Sequence, residues 1–175
     1  MRMPNGARCL LSLEQIESAW DRIAAALNRD LPDEEVTLLP VMNGGMFPAC
    51  ELSRRIDRPI RFDYVHATRY RGGTRGGEIE WLHWPRLPDR PETVILVDDI
   101  FDEGYTLQAI RDRIAADFRV VTAVLLRKQH DRGLARDWVD YHGIDIPDVY
   151  VFGCGMDYHE NFRELPEVWY MPESS

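Results

Sequence analysis

Along the first thirty residues, apolar positions recur at helical spacing: Leu13, Ile16, Trp20, Ile23, Ala24 and Leu27 share one face. Ser12 precedes them and Gln15 follows three positions later, so each side chain can serve the other's backbone N–H. The pattern predicts a helix from Ser12 to about Arg29, stopped by Pro32. The pattern then shifts to short apolar runs. Val36–Met42 reads as a buried strand feeding a tight turn at Asn43-Gly44-Gly45, and Met46 to about Ile56 as a helix. Ile60–Thr68 alternates like one strand, the glycine- and arginine-rich stretch 69–78 is a loop, and Glu78–Trp84 is a returning strand. Thr93–Val97 is the strongest buried strand; it delivers Asp98 and Asp99 at its end and leads to a helix from about Gly104 to Asp117. Arg119–Leu126, Val149–Phe152 and Val168–Met171 supply the remaining strands.

Strands alternating with helices predict an α/β fold, with residues 1–175 as a single domain around a mostly parallel central sheet flanked by helices. In such sheets ligands bind beyond the carboxyl ends of the strands. Four segments fall there: Asn43–Gly45, Asp98–Thr106, Arg127-Lys128 and Gly153–Asp157.

Charge changes the picture in one respect. Against 21 Lys and Arg stand 30 Asp and Glu, a formal net charge of −9 in 175 residues. Nucleic-acid binding led by phosphate contacts needs positive surface, so that class is excluded. A small anionic substrate is not, because a metal ion or a ring of backbone N–H groups reverses the field locally. Cys9, Cys50 and Cys154 form no C-x-x-C pair, which argues against a disulfide framework or zinc site and for a reducing compartment. The N-terminal apolar run is too short for a signal peptide, and no stretch is long enough to span a bilayer. The expectation is a cytoplasmic protein without membrane attachment.

The densest chemistry lies in Val94–Thr106, VILVDDIFDEGYT. An apolar strand presents two carboxylates, and a short loop with one glycine opens a helix. Successive N–H groups in such a turn, aided by the helix dipole, make a concavity for an anion, and the Thr106 hydroxyl can join them. Adjacent aspartates suit the vicinal hydroxyls of a ribose, since carboxylates only accept hydrogen bonds. A sugar diol beside a phosphate pocket describes a ribose 5-phosphate site. Phosphoacceptor receiver domains also end their first strand in an acidic pair, but most of that fold follows the pair; at position 98 of 175 too little chain remains.

VILVDDIFDEGYT resembles the diphosphate-sugar signature of the type I phosphoribosyltransferases: apolar strand, two acidic residues, then D-[ST]-G-x-T. Glu103 stands where Thr or Ser is usual. Met42-Asn43-Gly44-Gly45 resembles the diphosphate loop of the hypoxanthine-guanine members, whose internal peptide bond is cis, here Met42–Asn43; Asn43 replaces the common lysine. His66–Gly73 resembles the mobile loop that closes over the active site, with Arg69-Tyr70 matching its Ser-Tyr pair. Lys128 matches the base-reading lysine, and a one-residue shift would put Arg127 there. Asp148–Leu165 resembles the tail F-V-V-G-[YF]-x-x-D-Y-x-x-x-x-R-x-L.

The resemblance implies a phosphoribosyltransferase fold with a small flexible hood, and transfer of phosphoribosyl from 5-phosphoribosyl 1-diphosphate to a 6-oxopurine. It implies Asp102 as general base and acid, with Asp98, Asp99, Glu103, Gly104, Tyr105 and Thr106 holding ribose and 5-phosphate. Asn43, Gly44, Arg69, Tyr70 and Arg163 would hold diphosphate, while Lys128, Tyr150 and Val151 would hold the base. Asp98, Asp99 and Asp157 would ligate Mg²⁺, and the implied assembly is a homodimer or homotetramer. A nucleotide-binding regulator of the same fold, weakly active or inactive, is the alternative, as is an inactive phosphoribosyl-binding scaffold. His66, His83, His130, His142 and His159 lack metal-ligand spacing and read as surface or structural residues.

Overall fold

The computed structural model describes residues 3–69, 79–89 and 92–172. In chain order the elements are β1 (Arg8–Leu11), α1 (Leu13–Asp30), β2 (Val36–Pro40), α2 (Met46–Ser53), β3 (Ile60–Phe62), β4 (His66–Arg69) and β5 (Ile79–His83). They continue with β6 (Thr93–Phe101), α3 (Tyr105–Ile114), β7 (Arg119–Gln129), β8 (Tyr141–Pro147), β9 (Val151–Phe152) and β10 (Val168–Tyr170). The expected capping box at the start of α1 is present, with Ser12 and Gln15 each accepting from the other's backbone.

The central sheet runs β3-β2-β6-β7-β8, and every pairing in it is parallel. Side chains alternate between its two faces. Leu38, Ile95 and Leu125 pack with Ile16, Trp20 and Leu27 of α1, while Leu39, Leu96 and Val124 pack with Leu107, Ile110 and Ile114 of α3. Burial on both faces is why β6 reads as an unbroken apolar run. Two small antiparallel units accompany the sheet: β1-β10-β9 and the pair β4-β5. Among the described residues no helix is long and apolar enough to cross a membrane.

Four expectations need correction. The run Ile60–Thr68 is two strands in different sheets, broken where the Asp63 carboxylate accepts from the N–H of Tyr64 (2.7 Å) and of Arg86 (2.8 Å). β6 continues to Phe101, so Asp98 and Asp99 lie within the strand and not beyond it. β7 continues to Gln129 and contains Arg127 and Lys128. The edge strand β8 and the short β1 were not expected at all.

Candidate active site

Parallel pairing of β6 with β7 sets the register Phe101↔Arg127, which brings Asp102, just past β6, alongside Lys128. Lys128 Nζ lies 3.0 Å from Asp102 Oδ2 and 3.6 Å from Asp148 Oδ1. Arg127 is engaged elsewhere: its guanidinium grips Asp145 of β8 at 2.7 and 3.0 Å and donates to the Arg136 carbonyl at 2.9 Å. Of the two candidates for reading a base, Lys128 is therefore the one that faces Asp102. Asp102 has a second partner. His130, expected to be surface or structural, places Nε2 2.6 Å from Asp102 Oδ1. Burial alone would raise the Asp102 pKa, but hydrogen bonds from Lys128 and His130 outweigh it and hold the carboxyl below its ordinary range.

The acidic pair sits deeper. Asp99 is 8 % exposed and Asp98 half-buried, and the Asp99 N–H donates to Asp98 Oδ1 at 2.9 Å. Burial, then the charge of Asp99, pushes Asp98 well above the usual carboxylate range. Burial also raises Asp99 to about 6, against the opposing pull of the Ile100 N–H and the Arg163 charge. The loop from β2 closes over the pair. The peptide bond Met42–Asn43 is cis, as the resemblance implies. A Cβ on Gly44 would stand 2.2 Å from Asp99 Oδ2, and one on Gly155 (φ +104°) 2.2 Å from the Gly44 carbonyl. Three segments remote in sequence thus meet at glycines because no side chain fits between them.

Asp102 to Gly104 lead into α3, whose first turn, like that of any α-helix, directs N–H groups out of the helix end. Gly104 is the N-cap at φ +81°, and Thr106 lies in that first turn. Tyr105 is exposed, and Glu103 is half-buried within the field of Arg132. Arg136, which no sequence motif singles out, fastens this corner. It donates to the carbonyls of Asp102 (2.6 Å), Lys128 (3.2 Å), Arg132 (2.7 Å) and Leu134 (2.6 Å), and its guanidinium lies over the Phe101 ring.

On the far side, Tyr150 is 54 % exposed and its hydroxyl donates to the Asp157 carbonyl at 2.9 Å. Val151 is buried in β9, opposite Tyr170. Asp157 and Arg163, assigned to metal and to diphosphate, pair with each other at 2.6 Å, and Arg163 also donates to the Gly155 carbonyl at 2.6 Å. Cys154 is buried, with its thiol pushed up to about 12 by burial, and donates to the Pro166 carbonyl; it has no nucleophilic character. Arg69 ends β4, and Tyr70 lies outside the described residues.

Residues 9–161 match the phosphoribosyl transferase domain family. The hypoxanthine-guanine phosphoribosyltransferase of Streptococcus mutans is 32 % identical over 97 % of this chain and 95 % of its own. That of Streptococcus agalactiae is 33 % identical over 95 % of this chain and 93 % of its own. The crystal structure of a hypoxanthine-guanine phosphoribosyltransferase from Bacillus anthracis, with HEPES in its active site, superposes with a TM-score of 0.86 at 28 % identity, covering 94 % of this chain and 98 % of that one. With its five-stranded parallel sheet and the acidic pair of β6, the chain belongs to the phosphoribosyltransferase family, among the hypoxanthine-guanine phosphoribosyltransferases.

Proposed function

We propose that this enzyme transfers the phosphoribosyl group of 5-phosphoribosyl 1-diphosphate to N9 of hypoxanthine or guanine, releasing diphosphate. The observation that carries this reading is the Asp102–Lys128 pair, a carboxylate and an ammonium 3.0 Å apart at neighbouring strand ends beside the opening of α3. A 6-oxopurine offers that pair an acceptor at O6 for the ammonium and an N–H at N7 for the carboxylate; adenine would set an amino group against Lys128. Tyr150 supplies an exposed aromatic face for stacking, and the backbone of Val151 borders the base edge.

Asp98 and Asp99 accept from the ribose hydroxyls, while Gly104, Tyr105 and Thr106, at the opening of α3, hold the 5-phosphate with Glu103 beside them. The loop at Asn43 and Gly44 meets the diphosphate, with Arg69, Tyr70 and Arg163 as its further partners. Burial raises the pKa of both Asp98 and Asp99, and a cation beside them would favour their ionised forms; such an all-oxygen pair fits a hard divalent cation. Asp98, Asp99 and Asp157 would hold Mg²⁺, which when bound neutralises the leaving diphosphate. As the C1–oxygen bond breaks and the C1–N9 bond forms, Asp102 takes the N7 proton and Lys128 turns to O6. The protein contributes positioning and electrostatics, with no covalent enzyme intermediate.

Asp102→Asn tests the base role. The turnover number should fall by about 100-fold or more, with affinity for 5-phosphoribosyl 1-diphosphate held within about twofold. Lost sugar-diphosphate binding, or an unchanged turnover number, would contradict it.

A further inference from the structure

We infer that His130 is a positioning residue that fixes the Asp102 carboxylate by one oxygen and leaves the other for the purine. The inference rests on the base role proposed for Asp102. The two oxygens have separate holders: Oδ1 meets His130 Nε2 at 2.6 Å, and Oδ2 meets Lys128 Nζ at 3.0 Å. If Lys128 turns to O6 of the base, Oδ2 is released while His130 keeps Oδ1 in place.

The tautomer follows from the contacts. The Arg132 backbone N–H donates to His130 Nδ1 at 3.2 Å, so Nδ1 is an acceptor and the proton lies on Nε2. An ionised carboxylate can only accept, which also makes Nε2–H the donor to Asp102. The His130 side chain is 5 % exposed, so the imidazole is packed in place while the Asp102 carboxylate it holds stays open on its other side, 42 % exposed. The turn bearing it is locked to the Asp102 loop: Leu134 N–H donates to the Glu103 carbonyl at 2.9 Å, and Arg136 donates to the Asp102 carbonyl at 2.6 Å. Gly133, at φ +75°, lies so near Glu103 that a Cβ would stand 2.3 Å from its carbonyl oxygen.

A metal-site reading of the same cluster fails. Asp102, His130 and Asp148 present ligand atoms within 4.8 Å of one another, but Lys128 lies between the carboxylates and Arg132 grips Asp148 at 2.6 and 3.0 Å. Cations of the protein already hold these groups. Among the described residues, the titratable and charged groups facing Asp102 are Lys128 from β7 and His130 and Arg132 (3.8 Å) from the following turn. Arg136 binds its carbonyl, Glu103 adjoins it, and Asp148 stands across Lys128.

The test compares wild type, His130→Ala, His130→Gln and Asp102→Asn, measuring turnover number, KM and pH profile with hypoxanthine and 5-phosphoribosyl 1-diphosphate. His130→Ala should lower the turnover number about tenfold, keep KM for the sugar diphosphate within about twofold, and move the acid limb of kcat/KM for hypoxanthine to higher pH, because Asp102 loses a donor to its ionised form. His130→Gln, whose amide N–H can occupy the Nε2 position, should restore most of the rate and return the limb. An impaired Asp102→Asn beside a His130→Ala that keeps wild-type rate and pH profile overturns the His130 role alone. Asp102→Asn at the wild-type rate overturns the base role itself. Equal impairment in both His130 variants with an unmoved acid limb reduces His130 to a structural part and also overturns the inference. Nitrogen NMR of the wild-type imidazole gives a check that needs no variant: the proton should be on Nε2, and its presence on Nδ1 refutes the arrangement.

Discussion

Replacing Asp99 with asparagine keeps its shape and removes its charge, and should make the metal-free protein more stable while disabling it. Burial raises the Asp99 pKa from 3.8 to about 6. At about 1.4 kcal/mol per unit, holding that carboxylate ionised in the fold costs about 3 kcal/mol. Asparagine gives back part of this in weakened hydrogen bonds from the backbone, leaving a net gain of about 1 to 3 kcal/mol. Relief of Asp98, whose pKa is also raised by the neighbouring charge, acts in the same direction. For a chain of this size the gain corresponds to a melting temperature about 3 to 10 °C higher.

The pH dependence has a definite sign. Between about pH 4 and pH 6 the native protein keeps a proton on Asp99 that the unfolded chain has released, so wild-type stability falls as pH rises through this window. Thermal melts in chelator should therefore show the variant and wild type nearly equal near pH 4 and well separated by about pH 7. Added Mg²⁺ with 5-phosphoribosyl 1-diphosphate should raise the wild-type melting temperature and leave the variant nearly unmoved. A separation independent of pH, or a wild type more stable than the variant at neutral pH, would refute the reasoning.

Gly155→Ala combines a left-handed φ of +104° with a Cβ 2.2 Å from the Gly44 carbonyl. It should cost about 3 kcal/mol, seen as a melting temperature about 6 to 12 °C lower; a shift under about 2 °C would contradict the packing. Gly44→Ala meets the Asp99 carboxylate instead of backbone, so turnover should fall about tenfold with a smaller loss of melting temperature than Gly155→Ala, and steady-state kinetics at the wild-type rate would count against it. Tyr150→Leu should raise KM for the purine about fivefold, the worth of roughly 1 kcal/mol of aromatic stacking, and leave turnover within about twofold; an unchanged KM would remove the stacking role.

What the sequence reveals depends on how locally each feature is encoded. α1 is legible because its apolar stripe and capping box lie within one stretch, and the acidic pair because its flanking strand is buried on both faces. β8 is not legible. Gly143 and Asp145 make it look like a loop, yet the glycine is demanded by packing: a Cβ there would stand 2.6 Å from the Leu125 carbonyl and 3.0 Å from Ala19 Cβ of α1. The ends of β6 and β7 were misjudged because polar residues suggest a strand has stopped, whereas here pairing carries Asp98, Asp99, Arg127 and Lys128 within the ladder. His130 escaped notice because its partner lies 28 residues away, joined to it by the register of two parallel strands. Arg136 acts through carbonyls, which no side-chain pattern announces.

The central claim is most directly tested by supplying the purified chain with 5-phosphoribosyl 1-diphosphate, Mg²⁺ and, in turn, hypoxanthine, guanine, xanthine, adenine and uracil, then measuring diphosphate release together with nucleotide formed. Transfer to hypoxanthine or guanine, with adenine and uracil inert, is the predicted result. No transfer to any 6-oxopurine would contradict the reaction, and transfer to adenine alone would contradict the part given to Lys128.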